Sequence, residues 1–222
     1  MKERMIITVD GPAGAGKSTV SKRLAERLGY LYLDTGAIYR AIAYQADREG
    51  LAEAEEDILR DLCARTIISL KTIKGKVKTS VNGIDVTDAI RMPEISMLAS
   101  RMSALPVVRA GLLFLQRKMA QRGGIVAEGR DMGTVVFPKA DIKFFLDADV
   151  DERVRRRCAE LTQMGFGSSY HEVREDMIKR DAQDRERSVS PLRPAPDAIL
   201  IDSTKVGIEE VLNLMMHHVG ER

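Results

Sequence analysis

The 222-residue chain suits one α/β domain with insertions, or two small domains sharing a core, and its 44% apolar content is ample for a real hydrophobic interior. Lys and Arg total 35 against 33 Asp and Glu, a near-neutral balance that argues against a protein coating nucleic acid non-specifically. Trp is absent and aromatics are sparse, which disfavours stacking on single strands, and no apolar run approaches the roughly 20 residues needed to span a bilayer.

Met1-Lys2-Glu3-Arg4 has no signal-peptide architecture and leads into Met5 to Asp10, an apolar run without alternation, as in a strand covered on both faces. Gly11-Pro12-Ala13-Gly14-Ala15-Gly16-Lys17-Ser18 follows, and Lys17 to Leu28 reads as a helix with Val20, Leu24 and Leu28 on one face. Gly29 ends it, Tyr30 to Asp34 reads as a second strand, and Thr35 to Arg48 as a second helix. Thr66 to Val86 breaks the rhythm: extended stretches joined at Lys74-Gly75 and Asn82-Gly83 predict a small antiparallel meander. Further strands are expected at Ile125 to Ala127, Ile142 to Leu146 and Ala198 to Ile201. A C-terminal helix carries Ile208, Val211, Leu212, Met215 and Val219 on one face. Between them, Asp151 to Arg187 is helical and charge-rich, broken at Gly165-Phe166-Gly167; a solvated surface hairpin and a mobile cover both fit it. Strands separated by helices predict an α/β fold, a doubly wound sheet of about five parallel strands with helices on both faces. Cys63 and Cys158 have no zinc or Cys-x-x-Cys spacing and read as small buried thiols in a reducing cytosol.

Residues 11 to 18 match the phosphate-binding loop in full, with a strand before and a helix after. Its glycines let successive N–H groups aim at phosphate oxygens. Lys17 offers charge to the β and γ phosphates of ATP, and the Ser18 hydroxyl is placed to ligate Mg²⁺. The nucleotide contacts are assigned to Gly11, Pro12, Ala13, Gly14, Ala15, Gly16, Lys17, Ser18 and Thr19. No Asn-Lys-x-Asp stretch supports a GTPase, and the chain is short for a motor or transporter ATPase, which leaves the small kinases. The acid that orients the Mg²⁺ waters is open among Asp34, Asp10 and Asp147, each of which ends an apolar run.

Three further stretches are specific: Leu33-Asp34-Thr35-Gly36-Ala37-Ile38-Tyr39-Arg40, Glu128-Gly129-Arg130-Asp131-Met132-Gly133-Thr134-Val135-Val136-Phe137-Pro138, and residues 180 to 191. With the phosphate loop they resemble the bacterial cytidylate kinases, P-loop enzymes that move the γ-phosphoryl group of ATP to CMP or dCMP. The resemblance covers essentially the whole chain. It implies that residues 62–105 form a monophosphate-binding insertion and residues 150–187 a helical lid. It also implies that Arg40 and Arg130 grip the acceptor phosphate, a role that suits a bidentate guanidinium. Ser100, Arg109 and Asp131 would read the cytosine, a carboxylate accepting from its amino group while Arg and Ser donate to its acceptors. Thr35 stands where the family often has Ser, and Tyr39 would line the base pocket. Arg180, Asp184 and Arg187, at i, i+4, i+7 on one helical face, would meet the sugar and phosphates, with Asp184 accepting from ribose hydroxyls. Arg153, Arg156 and Arg157 would close on ATP or lie on a solvated face; Arg157 is taken as the ATP contact. Lys17, Arg130 and Arg187 are the expected catalytic cations. Asp181 and Arg185 read as a solvated i, i+4 pair, and His171, His217 and His218 have no assigned role. A kinase of another small acceptor, such as shikimate or gluconate, and a nucleotide-gated binding protein remain alternatives. The expected state is a cytoplasmic monomer with no nucleic-acid or membrane partner.

Overall fold

The computed structural model describes residues 4–73, 76–167 and 169–221. The chain forms two compact units, one from the chain up to Tyr32 together with the chain from Gly123 onward, the other from Leu33–Arg122.

The parallel sheet runs β2 (Leu31–Asp34), β6 (Ile125–Gly129), β1 (Ile6–Asp10), β7 (Ile142–Asp147) and β8 (Ile199–Asp202), in that order. This is the five-stranded parallel sheet expected from the sequence. β1 lies at its centre, pairing Ile7 with Val126 on one side and with Ile142 on the other. Both of its faces are covered, so β1 and β6 are buried residue after residue and their sequences do not alternate. The chain moves to one side of β1 for β2 and β6 and to the other for β7 and β8. A crevice therefore opens beyond the carboxyl end of β1, where ligands of doubly wound sheets bind. Helix α1 (Lys17–Leu28) leaves that crevice and packs on β1, β6 and α8 (Ile208–Gly220).

In the same unit, α6 (Val150–Gln163) and α7 (Tyr170–Glu186) pack together around Val154, Leu161, Val173 and Met177, with Ala13 of the phosphate loop against that cluster. Ser169 and Glu172 start α7 as a reciprocal cap. The helix stops at Glu186, and Arg187 follows it with ψ 138. The expectation that one helix presents Arg180, Asp184 and Arg187 is thus corrected: Arg187 sits where the chain turns out of the helix.

The second unit holds α2 (Thr35–Arg48), α3 (Glu56–Arg65), α4 (Pro93–Met102) and α5 (Pro106–Met119). Its antiparallel meander is β3 (Ile68–Ile73), β4 (Lys76–Val81) and β5 (Ile84–Asp85). Asn82 and Gly83 both have positive φ, 50° and 84°, as a two-residue hairpin turn requires. The expected turn at Lys74-Gly75 lies outside the described residues. Cys63 is buried where α3 meets α5, and burial pushes its thiol up to about 11; Cys158 is only half-buried, which corrects its reading as a buried thiol. Among the described residues no single helix is long and apolar enough to cross a membrane.

Candidate active site

The phosphate loop sits between β1 and α1. Gly16 caps α1 in the left-handed region at φ 89°, and Gly14 has φ 75°. A Cβ on Gly14 would lie 2.9 Å from the Arg153 carbonyl oxygen and 3.0 Å from the Met177 methyl, so α6 and α7 leave room only for glycine. Lys17 is buried and donates to the Pro12 carbonyl at 2.6 Å. Burial, and then the positive charge of Arg130, pull its ammonium down to about 7, against the pull of Glu128, Asp10 and Asp184.

Residues 14 to 20 line a cleft of about 910 Å³, within the range of nucleotide-sized pockets. Its other walls include Arg156, Arg157, Gln163 and the β8–α8 connection from Ser203 to Gly207. Sequence reading assigned nothing to that connection, which carries no motif and reaches the loop only through the sheet order.

The carboxylate that meets Ser18 is none of the three candidates, Asp34, Asp10 and Asp147. Ser18 Oγ donates to Glu128 Oε1 at 2.8 Å, and the Tyr32 hydroxyl donates to the same oxygen at 2.8 Å. Glu128 is the penultimate residue of β6, the strand beside β1, and its position after the apolar run 125 to 127 was the signal available. Asp34 is engaged elsewhere: it caps α2 by accepting from Ala37 N at 2.9 Å and pairs with Arg40 at 3.0 Å. Asp147 accepts from Ala148 N. Asp10 accepts from Met132 N and Gly133 N, both at 2.8 Å, and burial raises it to about 6. That buried carboxylate anchors the 129–138 motif, whose residues Met132–Val136 form one wide helical turn. A Cβ on Gly133 would approach Thr8 Oγ1 and a Lys143 methylene at 3.1 Å.

Arg130 follows in the same motif. Its Nε donates to Asp184 Oδ2 at 2.8 Å, and although burial works against its charge, Asp184 holds the guanidinium above its ordinary value. Arg187 lies 3.6 Å from Asp184 and 3.8 Å from Asp131, and donates to Ser190 O at 2.6 Å. Arg180 is lowered by burial and by the positive charges of Arg130 and Arg157. This unit therefore sets Arg130 close enough to depress Lys17 and Arg180, with the positive charge of Arg157 adding to the effect on Arg180, a field that an anion would relieve.

The remaining predicted residues belong to the second unit. Thr35 is the buried first residue of α2. Arg40 folds back over Gly36 to reach Asp34, so Asp-Thr-Gly-Ala-Ile-Tyr-Arg is a helix start that presets an arginine. Arg109 lies 5.6 Å from the Tyr39 ring centre and donates to the Ser103 carbonyl, while the Ser103 hydroxyl donates to Ser100 O. Tyr39, Ser100 and Arg109 thus come together.

One sequence reading is overturned. Asp181 is buried and pairs with Arg153 at 2.7 Å, not with Arg185 in solvent. Of the arginines left open between ATP and a solvated face, Arg153 is buried, while Arg156 is half-buried and tied to Glu152 and Ser203. The histidines sit beside glutamates, His171 by Glu175 and His217 and His218 by Glu221.

Comparison with known proteins accords with this geometry. The cytidylate kinase from Geobacter sulfurreducens is 52% identical over 218 residues, 98% of this chain and 94% of that protein. The cytidylate kinase from Syntrophotalea carbinolica is 49% identical over 222 residues, 100% of this chain and 94% of that one. An uncharacterised protein of known structure from Eubacterium ventriosum superposes with a TM-score of 0.53 at 13% identity, covering 99% of both chains, a likeness of fold alone. The sequence profile of the cytidylate kinase family matches residues 7–221. A profile spanning the phosphate loop, the Arg130 motif and the β8–α8 connection, with relatives near half identity over the full length, means that the chain belongs to the cytidylate kinase family.

Proposed function

We infer that this protein transfers the γ-phosphoryl group of ATP to CMP or dCMP, giving ADP and CDP or dCDP. The observation that carries this reading is the set of mutually repelling cations beside the phosphate loop, Lys17 with Arg130 and Arg180 with Arg130 and Arg157. Moving a phosphoryl group between two anionic nucleotides is mainly a matter of positioning and of neutralising charge, and such a cluster supplies both. Lys17 would take the β and γ phosphates as its partner in place of the Pro12 carbonyl. Arg130 and Arg187 would bracket the transferring group, with Arg157 and Arg180 adding charge from α6 and α7.

Arg40, preset by Asp34, would grip the acceptor phosphate together with Arg130, and Thr35 would add a hydroxyl. Asp131 would accept from the cytosine amino group, while Arg109 and Ser100 donate to the ring acceptors and Tyr39 packs on the base. Asp184 would accept from the sugar. The attacking phosphate oxygen is already a nucleophile, so no strong base is required. On this reading residues 62–105 bind the monophosphate and residues 150–187 act as a lid.

The Ser18 hydroxyl and the Glu128 carboxylate are hard oxygen donors 2.8 Å apart next to the loop, a set that fits Mg²⁺. Bound with the nucleotide, Mg²⁺ would neutralise phosphate charge. We further propose a cytoplasmic monomer with no membrane partner and no nucleic-acid partner, the last supported by the near-neutral charge balance.

Incubation with ATP, Mg²⁺ and each nucleoside monophosphate tests the assignment: CMP and dCMP should turn over well ahead of UMP and AMP. Preferential turnover of UMP or AMP, or none with CMP, would sink it.

A further inference from the structure

The phosphate loop works by pointing peptide N–H groups at an anion, and each such N–H shares a rigid plane with the carbonyl of the preceding residue. In a trans peptide the two point in opposite directions, so fixing the carbonyl aims the N–H. No described peptide bond in this chain is cis.

Two carbonyls of the loop are held by side chains from outside it. Arg153 Nη1 donates to Ala13 O at 3.2 Å, its Nε donates to Ala148 O at 2.9 Å, and its Nη2 meets Asp181 Oδ2 at 2.7 Å. The guanidinium is thus engaged along its fork by groups of β7–α6, α7 and the loop, and Arg153 is 3% exposed. It lines no part of the cleft formed by residues 14 to 20. Ser203 holds the second carbonyl. Its Oγ lies 3.0 Å from Ala15 O and 3.1 Å from Asp147 O, so its one proton is shared between two acceptors. Arg156 steadies that serine, donating to its Oγ at 3.1 Å and to its carbonyl at 2.7 Å, and is itself held by Glu152.

We infer that Arg153 and Ser203 are positioning residues of the phosphate loop, holding the Ala13 and Ala15 carbonyls away from the nucleotide so that the N–H groups of Gly14 and Gly16 face it; this rests on the reading of the loop as the ATP site. A loop left free to flip either peptide would turn a carbonyl dipole toward a triphosphate. The arrangement also gives α6 a task different from reaching for ATP with all of its arginines: Arg153 acts on the loop from outside the cleft, Arg156 steadies Ser203 from the cleft wall, and Arg157 faces the cleft.

The test uses the full chain and three variants. Ser203→Ala removes one carbonyl partner with little change in packing. Arg153→Met combined with Asp181→Leu replaces the buried pair by apolar groups, an exchange that buried pairs often tolerate without loss of fold. Arg153→Lys keeps a charge for Asp181 but lacks the fork. Dissociation constants are measured by calorimetry for ATP, inorganic tripolyphosphate and CMP separately.

ATP and tripolyphosphate should weaken together, roughly 3- to 10-fold for Ser203→Ala and about 10-fold for the double variant, as expected for one lost hydrogen bond each, with CMP unchanged. Arg153→Lys should fall between wild type and the double variant. Unchanged ATP and tripolyphosphate affinities overturn the inference. Equal weakening of CMP would mean a general structural role, and weakening of ATP without tripolyphosphate would place the effect on the nucleoside; either overturns it. Failure of the wild-type protein to bind ATP would instead remove the reading on which it rests.

Discussion

Binding of ATP should draw a proton onto Lys17. Burial and the charge of Arg130 hold its ammonium at about 7 in the nucleotide-free protein, against 10.5 for an exposed lysine. At pH 8 about one-tenth of the side chains then carry the proton, and at pH 7 about half. A triphosphate reverses both influences by supplying negative charge at the ammonium. Binding should therefore take up about 0.9 proton per ATP at pH 8 and about 0.5 at pH 7. The bound state holds the extra proton, so affinity falls as pH rises above about 7, approaching tenfold per pH unit. For folding, the sign is opposite. The unfolded chain holds the proton between about 7 and 10.5 where the folded one does not, so the nucleotide-free protein gains stability from this group as pH rises through that window. Calorimetric titration at pH 8 in buffers of different ionisation enthalpy reads the uptake directly. A Lys17→Arg variant, which keeps its proton, should bind with none. An observed binding enthalpy independent of the buffer at pH 8 would refute the argument.

Asp131→Asn should narrow the preference for CMP over UMP by about tenfold, because an amide can present either a donor or an acceptor to the base; equal selectivity in the two proteins removes the base-reading role. Gly14→Ala places a methyl 2.9 Å from the Arg153 carbonyl oxygen at φ 75°, a strain of about 1–3 kcal/mol. It should lower both the melting temperature and ATP affinity, and wild-type values for both would show that the loop relaxes freely. Glu128→Ala leaves the Ser18 and Tyr32 hydroxyls without their shared acceptor and should cost about 1–3 kcal/mol of stability. It should also raise the Mg²⁺ concentration for half-maximal rate, and a Mg²⁺ titration matching wild type would exclude Glu128 from that role.

What the sequence by itself determined lies in contiguous stretches. The glycine spacing of residues 11 to 18 dictates a loop closed by left-handed glycines, and Asn82-Gly83 dictates a hairpin, because both depend only on backbone geometry within a few residues. Asp34 to Arg40 is equally local, since cap, glycine and arginine lie within two helical turns. The fold class was legible as well, from unalternating strands between helices. Three things were decided only by the tertiary structure. The strand order sets β6 beside β1 and so brings Glu128 to Ser18, 110 residues away in sequence. The packing of α6 on α7 turns Arg153 and Asp181 inward to meet each other, where helical spacing alone pointed Asp181 at Arg185. The β8–α8 connection supplies Ser203 to the loop 188 residues earlier. A helix pattern states which residues share a face, but a buried charge takes the partner that packing places against it, and that partner is not encoded in local spacing.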